Sequence, residues 1–238
     1  MNVLLSTHRA KLIPALAFLF LLVLGIPVVL AHHSGGYSHD STIGISLPDW
    51  MGTLPDSLRI SELSIPGTHD TMSRCGDMIV ECQEMRLEQQ LDAGIRALDI
   101  RARREWSHFD ITHGCNLQGD DCGTLANHYE FEDPLCRTVN FLIAHPRETV
   151  LMRVQDAGCP VDARRSFEET YRDYVVNQRE ACQTPRGPIV FNDYIWDPDT
   201  SSNPTNPTLG EVRGKIVILD SFTLDGRYAL DGTYERDR

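Results

Sequence analysis

From Leu58 onward the chain alternates short apolar runs with amphipathic stretches, and this alternation restricts the folds open to it. Candidate strands are Leu58–Ile65, Ile95–Arg101, Phe109–His113, Val150–Gln155, Ile189–Asn192 and Lys215–Asp220. Glu84–Ala93 places Leu87 and Leu91 on one helical face and ends at Gly94, a C-cap signal. Leu135, Val139, Leu142 and Ile143 recur at helical spacing, and Pro146 follows as a stop. Phe167, Tyr171, Tyr174 and Val175 repeat that spacing. Strands alternating with helices imply βαβ units, hence the α/β class with a parallel sheet or barrel. A complete (β/α)8 barrel takes about 250 residues. Fewer than 210 follow residue 31, with five or six strands among them. The expectation is therefore a TIM-barrel-like (β/α) barrel, incomplete, with no further strand in the polar tail after Phe222. Asp197 to Thr208, rich in Pro, Asn, Ser and Thr, reads as an insertion on one barrel face.

Ahead of this domain, Arg9 and Lys11 precede a run from Leu12 to Ala31 that is apolar apart from Pro14, Gly25 and Pro27. Residues 1–31 read as a secretory signal cleaved after Ala31, with Pro27 breaking the helix near the cleavage point. The alternative is an uncleaved hydrophobic anchor, since about 20 apolar residues span a bilayer. Residues 32–57 are polar and read as a linker, in which His32, His33 and His39 are stray histidines rather than a metal site. The formal charge is −12, and removing the two cations of the leader makes it −14. Bulk electrostatics then disfavours nucleic acid or an anionic bilayer as partner.

Seven cysteines lie beyond the leader, and in an exported protein these read as disulfides. Cys75 with Cys82 and Cys115 with Cys122 are local pairings, each seven positions apart, and Cys159 pairs with Cys182 or Cys136. An odd cysteine is left over. No close CxxC knuckle supports zinc, and no N-x-[ST] acceptor occurs.

Three segments carry chemistry. Ser64-Ile65-Pro66-Gly67-Thr68-His69-Asp70-Thr71 ends a strand, turns at Pro-Gly and presents a His-Asp pair. In a barrel this is the C-terminal strand end, where catalytic groups gather. In Gly94–Arg101 the period of two puts Asp99 and Arg101 on one side and Leu98 and Ile100 on the other. Charged side chains inside a barrel are costly unless paired or used. Phe109-Asp110-Ile111-Thr112-His113-Gly114 is a short strand ending in His-Gly. Two imidazoles, a guanidinium and carboxylates on successive strand ends suit phosphoryl transfer. One imidazole removes a proton from the attacking hydroxyl, the other protonates the leaving oxygen, and the guanidinium holds phosphate oxygens. Taken singly, each residue also fits a plainer role, such as a solvated strand end or a structural ion pair.

These segments, with Phe141–Val154 (containing His145-Pro146-Arg147-Glu148-Thr149) and Gly214–Leu219, resemble the X domain of phosphatidylinositol-specific phospholipases C over roughly residues 58–222. The secreted fungal and bacterial branch is the most similar. The resemblance implies a phosphatidylinositol lyase in which His69 is the general base on the inositol 2-hydroxyl and His113 the general acid. Arg101 matches the arginine that takes the place of calcium in metal-independent members. Asp70 assists His113, and Asp99 lies near the phosphate and Arg101. The lysine often found on the fourth strand is Arg153 or Gln155 here, so these two are the substrate-binding candidates. The implied products are inositol 1,2-cyclic phosphate and diacylglycerol, formed by a secreted monomer at a membrane surface from phosphatidylinositol or its glycosylated form. No cofactor is implied. A calcium site needs oxygen ligands, whereas Ala97 and Arg101 flank Asp99. Where the bacterial members carry basic residues after the last strand, this chain has Asp220-Ser221-Phe222. Tyr194 and Trp196 are candidates for meeting the bilayer. Two other readings stand beside this one: a metal-dependent glycerophosphodiester or sphingomyelin phosphodiesterase, which would need Glu-x-Asp where Ala97 stands, and an inactive lipid-binding fragment.

Overall fold

The computed structural model describes residues 45–76, 79–120, 122, 128–159, 161, 164–175, 181–220 and 230–231. The leader, its cleavage point, residues 32–44 and the tail beyond Phe222, apart from 230–231, lie outside the described residues.

The main sheet is built around β2 (Ala97–Glu105). On one side β2 runs parallel to β5 (Val150–Asp156), which pairs in parallel with β8 (Ile216–Asp220), and β8 with β9 (Leu230–Asp231). The other side of β2 is shared. Its first residues pair in parallel with the two-residue β1 (Gly67–Thr68), and its last four pair antiparallel with β3 (His108–His113). A further short strand, β4 (Asn116–Leu117), pairs with β3. Between the end of β1 and the start of the β3 ladder, Asp99, Ile100 and Arg101 have no strand beside them on that side among the described residues. That gap becomes the site. The sheet is mixed and partial, and among the described residues it does not close into a barrel.

Alternation along the strands sets two faces, as expected for Leu98 and Ile100 against Asp99 and Arg101. Leu98, Ile100 and Ala102 of β2, Met152 and Val154 of β5, and Ile216 and Ile218 of β8 form a buried apolar face. Helices α1 (Leu87–Asp92), α2 (Glu132–Ala144) and α3 (Phe167–Val175) supply the opposing side chains, among them Leu91, Leu135, Val139, Tyr171 and Tyr174. These helices fall where the periodicity placed them. The other face changes character along its length. Near the strand starts, Ala97, Leu151 and Val217 pack with Met51, Ile60 and Trp196, and with Leu209 and Val212 of α4 (Leu209–Val212). Further along come Asp99, Arg101, Arg153 and Gln155.

Four expectations are corrected. The tail after Phe222 does contribute a strand, because Leu230 and Asp231 pair in parallel with Leu219 and Asp220 as β9. Leu58–Ile65 is not a strand: Ile60–Glu62 makes a 3-10 turn, and the flanking backbone bonds to the Pro/Asn-rich loop through Ile60 N to Pro207 O and Leu209 N to Leu58 O. Pro66 offers no N–H to a ladder, so pairing begins only at Gly67. Ile189–Asn192 is not in the main sheet, because β7 (Gly187–Val190) pairs instead with β6 (Ala181–Thr184) as a separate hairpin. The end of the expected linker, residues 45–57, is part of the folded unit. Trp50 donates from Nε1 to Gly94 O, Met51 is fully buried, and the Glu148 carboxylate accepts from the N–H groups of Met51 and Gly52. Three large apolar residues, Trp50, Met51 and Leu54, cap the apolar end of the sheet, which outweighs the polar composition around them.

The same Glu148 accepts from Nε of Arg96 at 2.9 Å, and both side chains are wholly buried. Arg96 also donates to the carbonyls of Leu91, Ile95 and Pro48 and lies over the Phe141 ring. This pair joins the start of β2 to the start of β5 at the end of the sheet away from the charged residues. The cysteine pairings also differ from expectation. The disulfides are Cys75–Cys122, Cys115–Cys159 and Cys136–Cys182, each closing about 45 residues, and Cys82 keeps its thiol. Sequence proximity favours short loops, but folding brings distant loops together at the strand ends, and pairing follows distance in space.

Candidate active site

β1 ends at Thr68, and the chain turns immediately so that His69, Asp70 and Thr71 stand beside the gap along β2. Asp70 takes φ +46°, a left-handed conformation that Asp tolerates better than most residues. Three bonds fasten this turn to Asp99. The Asp70 N–H donates to Oδ2 of Asp99 at 3.1 Å, the Thr71 N–H to its carbonyl at 2.9 Å, and the Asp99 N–H to Oγ1 of Thr71 at 2.8 Å. The Gln83 amide holds the turn from outside by donating to His69 O.

Five expected residues meet here. Nδ1 of His69 is 3.3 Å from Oδ2 of Asp99. Nη2 of Arg101 lies 3.2 Å from each ring nitrogen of His69 and 3.3 Å from the same Asp99 oxygen. Its Nη1 is 3.3 Å from Oδ2 of Asp70. That Asp70 oxygen is in turn 3.5 Å from Nε2 of His113. His113 reaches this point from the opposite direction, because β3 runs antiparallel to β2 and ends there. The two imidazoles are thus linked through Arg101 and Asp70. His69 is the exposed member, with 65% of its side chain accessible, while the Asp70 side chain is 1% accessible. Burial pushes the Asp70 carboxyl up to about 6, and the Arg101 cation only partly offsets this.

Arg153 and Gln155 lie on β5 directly alongside Asp99 and Arg101 in the register. Nη1 of Arg153 reaches Oδ1 of Asp99 at 3.5 Å. The buried Nε atoms of Arg101 and Arg153 and Oε1 of Gln155 have no hydrogen-bond partner among the described residues. Buried polar atoms are seldom left so, and a bound anion with hydroxyls would supply what they lack.

One residue of the site was not expected: Thr71, which shapes the turn through its hydroxyl and backbone. Asp99 was expected near the phosphate and Arg101, but its contact with His69 was not. No local pattern marks either contact, since both join segments about 30 residues apart. The bilayer-facing candidates are corrected: Trp196 is 3% exposed and buried against the apolar end of the sheet, and Tyr194 packs against the core. Exposed apolar side chains among the described residues include Trp106, at the tip of the β2–β3 hairpin, and Val161, which bridges Glu105 beside it, as well as Ile79 three residues before Cys82. The Arg164 guanidinium lies 4.9 Å over the Trp106 ring.

A mixed sheet whose central strands run parallel under covering helices, with ionisable groups gathered at the strand ends, is a partial α/β sheet of the TIM-barrel type with a polar site. No family model matches the chain. It is 34% identical over 184 residues to the 1-phosphatidylinositol phosphodiesterase of Listeria monocytogenes, covering 74% of this chain and 49% of that protein. It is 28% identical over 216 residues to the protein of that name from Staphylococcus aureus, covering 87% of this chain and 58% of that one. Among solved structures, the phosphatidylinositol-specific phospholipase C of Listeria monocytogenes aligns with a TM-score of 0.55 at 30% identity, over 78% of this chain and 63% of that one. The S. aureus phospholipase aligns with a TM-score of 0.62 at 26% identity, over 78% and 56%. The chain spans about half the length of the curated relatives it matches. In sequence and in fold the chain is similar to the bacterial phosphatidylinositol-specific phospholipases C.

Proposed function

We propose that this domain cleaves phosphatidylinositol, or its glycosylated form, to inositol 1,2-cyclic phosphate and diacylglycerol without a metal ion. The observation that carries the proposal is the chain of contacts His69–Arg101–Asp70–His113, which links two imidazoles through one guanidinium and one carboxylate. His69 takes the proton of the inositol 2-hydroxyl, whose oxygen forms the new bond to phosphorus. The bond from phosphorus to the glycerol oxygen breaks, and His113 delivers a proton to that oxygen. Arg101 stabilises the charge on the equatorial oxygens through directed N–H donors. Asp99 orients His69, and Asp70 holds His113 while compensating Arg101. Arg153 and Gln155 contact the inositol hydroxyls or the phosphate. The guanidinium between two carboxylates supplies the cation that a calcium-dependent enzyme would bind.

Three disulfides support an exported protein, with residues 1–31 as signal or anchor. A lipid substrate places the strand-end face against a bilayer. Trp106 lies five residues beyond Arg101 along the strand direction, about 16 Å at normal strand rise. An indole at that overhang suits the lipid–water boundary.

The test is turnover on phosphatidylinositol vesicles with and without EDTA, using His69→Ala as control. Activity that survives chelation and disappears in the variant is expected. Chelator-sensitive activity would point to a metal-dependent phosphodiesterase, and a folded protein without turnover to a lipid-binding fragment.

A further inference from the structure

Cys82 is the one described cysteine outside the three disulfides. It sits beside the site rather than in a remote loop. The Cys82 and Gln83 N–H groups both donate to Ser73 O, which ties this segment to the turn carrying His69 and Asp70. Its Sγ, one carboxylate oxygen of Asp70 and one ring nitrogen of His69 all lie within 4.8 Å of one another. The Asp70 side chain is almost wholly buried, and its Oδ2 has no hydrogen-bond partner among the described residues.

We infer that Cys82, His69 and Asp70 form an inhibitory site for a thiophilic divalent cation of the zinc class. Thiolate, imidazole and carboxylate are the three donor types that zinc accepts, and three protein ligands with a water in the fourth position is a recurrent arrangement. Bonds of about 2.0 to 2.3 Å place tetrahedral ligand atoms closer together than they stand here. The required movement falls on His69, whose ring is largely exposed and can turn. Arg101 sets the selectivity. Its cation, 3.3 Å from Asp70, opposes a second cation held by oxygen alone, so calcium and magnesium are excluded. A thiolate formed on binding adds a negative charge and a soft ligand, which favours zinc or cadmium. The thiol proton leaves to solvent as the metal–sulfur bond forms.

Inhibition follows only if the proposed lyase reading holds, since the metal would occupy the His69 lone pair that takes the substrate proton. Binding is independent of that reading and is therefore measured directly. Cadmium is titrated into the oxidised protein, and the ultraviolet thiolate-to-cadmium charge-transfer band is followed. The wild type is expected to saturate at one equivalent. Cys82→Ser should lose the band, and His69→Ala should weaken binding by at least about tenfold, the loss that even outer-shell changes can bring. Absence of the band in the wild type, or an unchanged titration in His69→Ala, overturns the site. In the turnover assay zinc should inhibit the wild type and spare Cys82→Ser, whose uninhibited rate stays near wild type. A normal band with no turnover in any sample would retain the metal site and sink the lyase reading instead.

Discussion

Oδ2 of Asp70 lies 3.3 Å from Nη1 of Arg101, although the carboxylate is almost wholly buried and the guanidinium about one-fifth exposed. Desolvation dominates the ion pair, so the Asp70 carboxyl is pushed up from its usual 3.8 to about 6. The native state therefore binds a proton that the unfolded chain releases. The sign follows: this group favours folding below pH 4, and the advantage is lost as pH rises through 6. Asp70→Asn should be more stable than wild type at pH 8, by up to about 3 kcal/mol, with a much smaller difference at pH 4. Asn tolerates the left-handed turn equally well. Urea unfolding of both proteins at the two pH values checks this, and a pH-independent difference would contradict it. Turnover should fall by about a hundredfold or more, because His113 loses its anionic partner.

The guanidinium of Arg101 touches Asp70, Asp99 and His69 with two nitrogens. Lysine can place one ammonium near these groups but not a planar fork. Arg101→Lys should keep the fold and lose about 2 to 4 kcal/mol of transition-state stabilisation. The loss should appear in kcat rather than KM, and steady-state kinetics on vesicles separates the two.

Arg96 and Glu148 form a buried pair far from the chemistry. Replacing one partner leaves the other as an uncompensated charge. Arg96→Met should cost about 3 to 5 kcal/mol in denaturant unfolding. The double variant Arg96→Met with Glu148→Leu should recover part of that loss. If the single variant is as stable as wild type, the pair does not hold β2 to β5.

Cys115–Cys159 ties the residue two beyond His113 to the loop after β5. Replacing both cysteines with Ser should destabilise the domain by about 2 to 4 kcal/mol, given the loop it closes. Turnover should also fall while the protein remains folded, because His113 loses an anchor. Circular dichroism together with the vesicle assay distinguishes the two effects.

Trp106→Ala tests the proposed bilayer contact. Sedimentation with phosphatidylinositol vesicles should show weaker binding, while turnover of a soluble inositol phosphodiester stays unchanged. Equal losses on both substrates would mean that the indole supports the site rather than the membrane contact.

The sequence by itself determined the strand-and-helix alternation, the three main helices and the two faces of β2, because these depend on periods of 3.6 and 2 within single segments. It also located His69, Asp70, Asp99, Arg101 and His113, since charged residues on an otherwise apolar strand and at strand ends stand out locally. The chain of contacts that joins them was decided by the tertiary structure. Asp99 meets His69, and Asp70 lies between Arg101 and His113, because β1 stops where the antiparallel β3 has not yet begun. Disulfide partners, the burial of Trp196 and the packing of Met51 under the sheet were decided there too. Each depends on a distance between segments far apart in the chain, and a one-dimensional pattern carries no such distance.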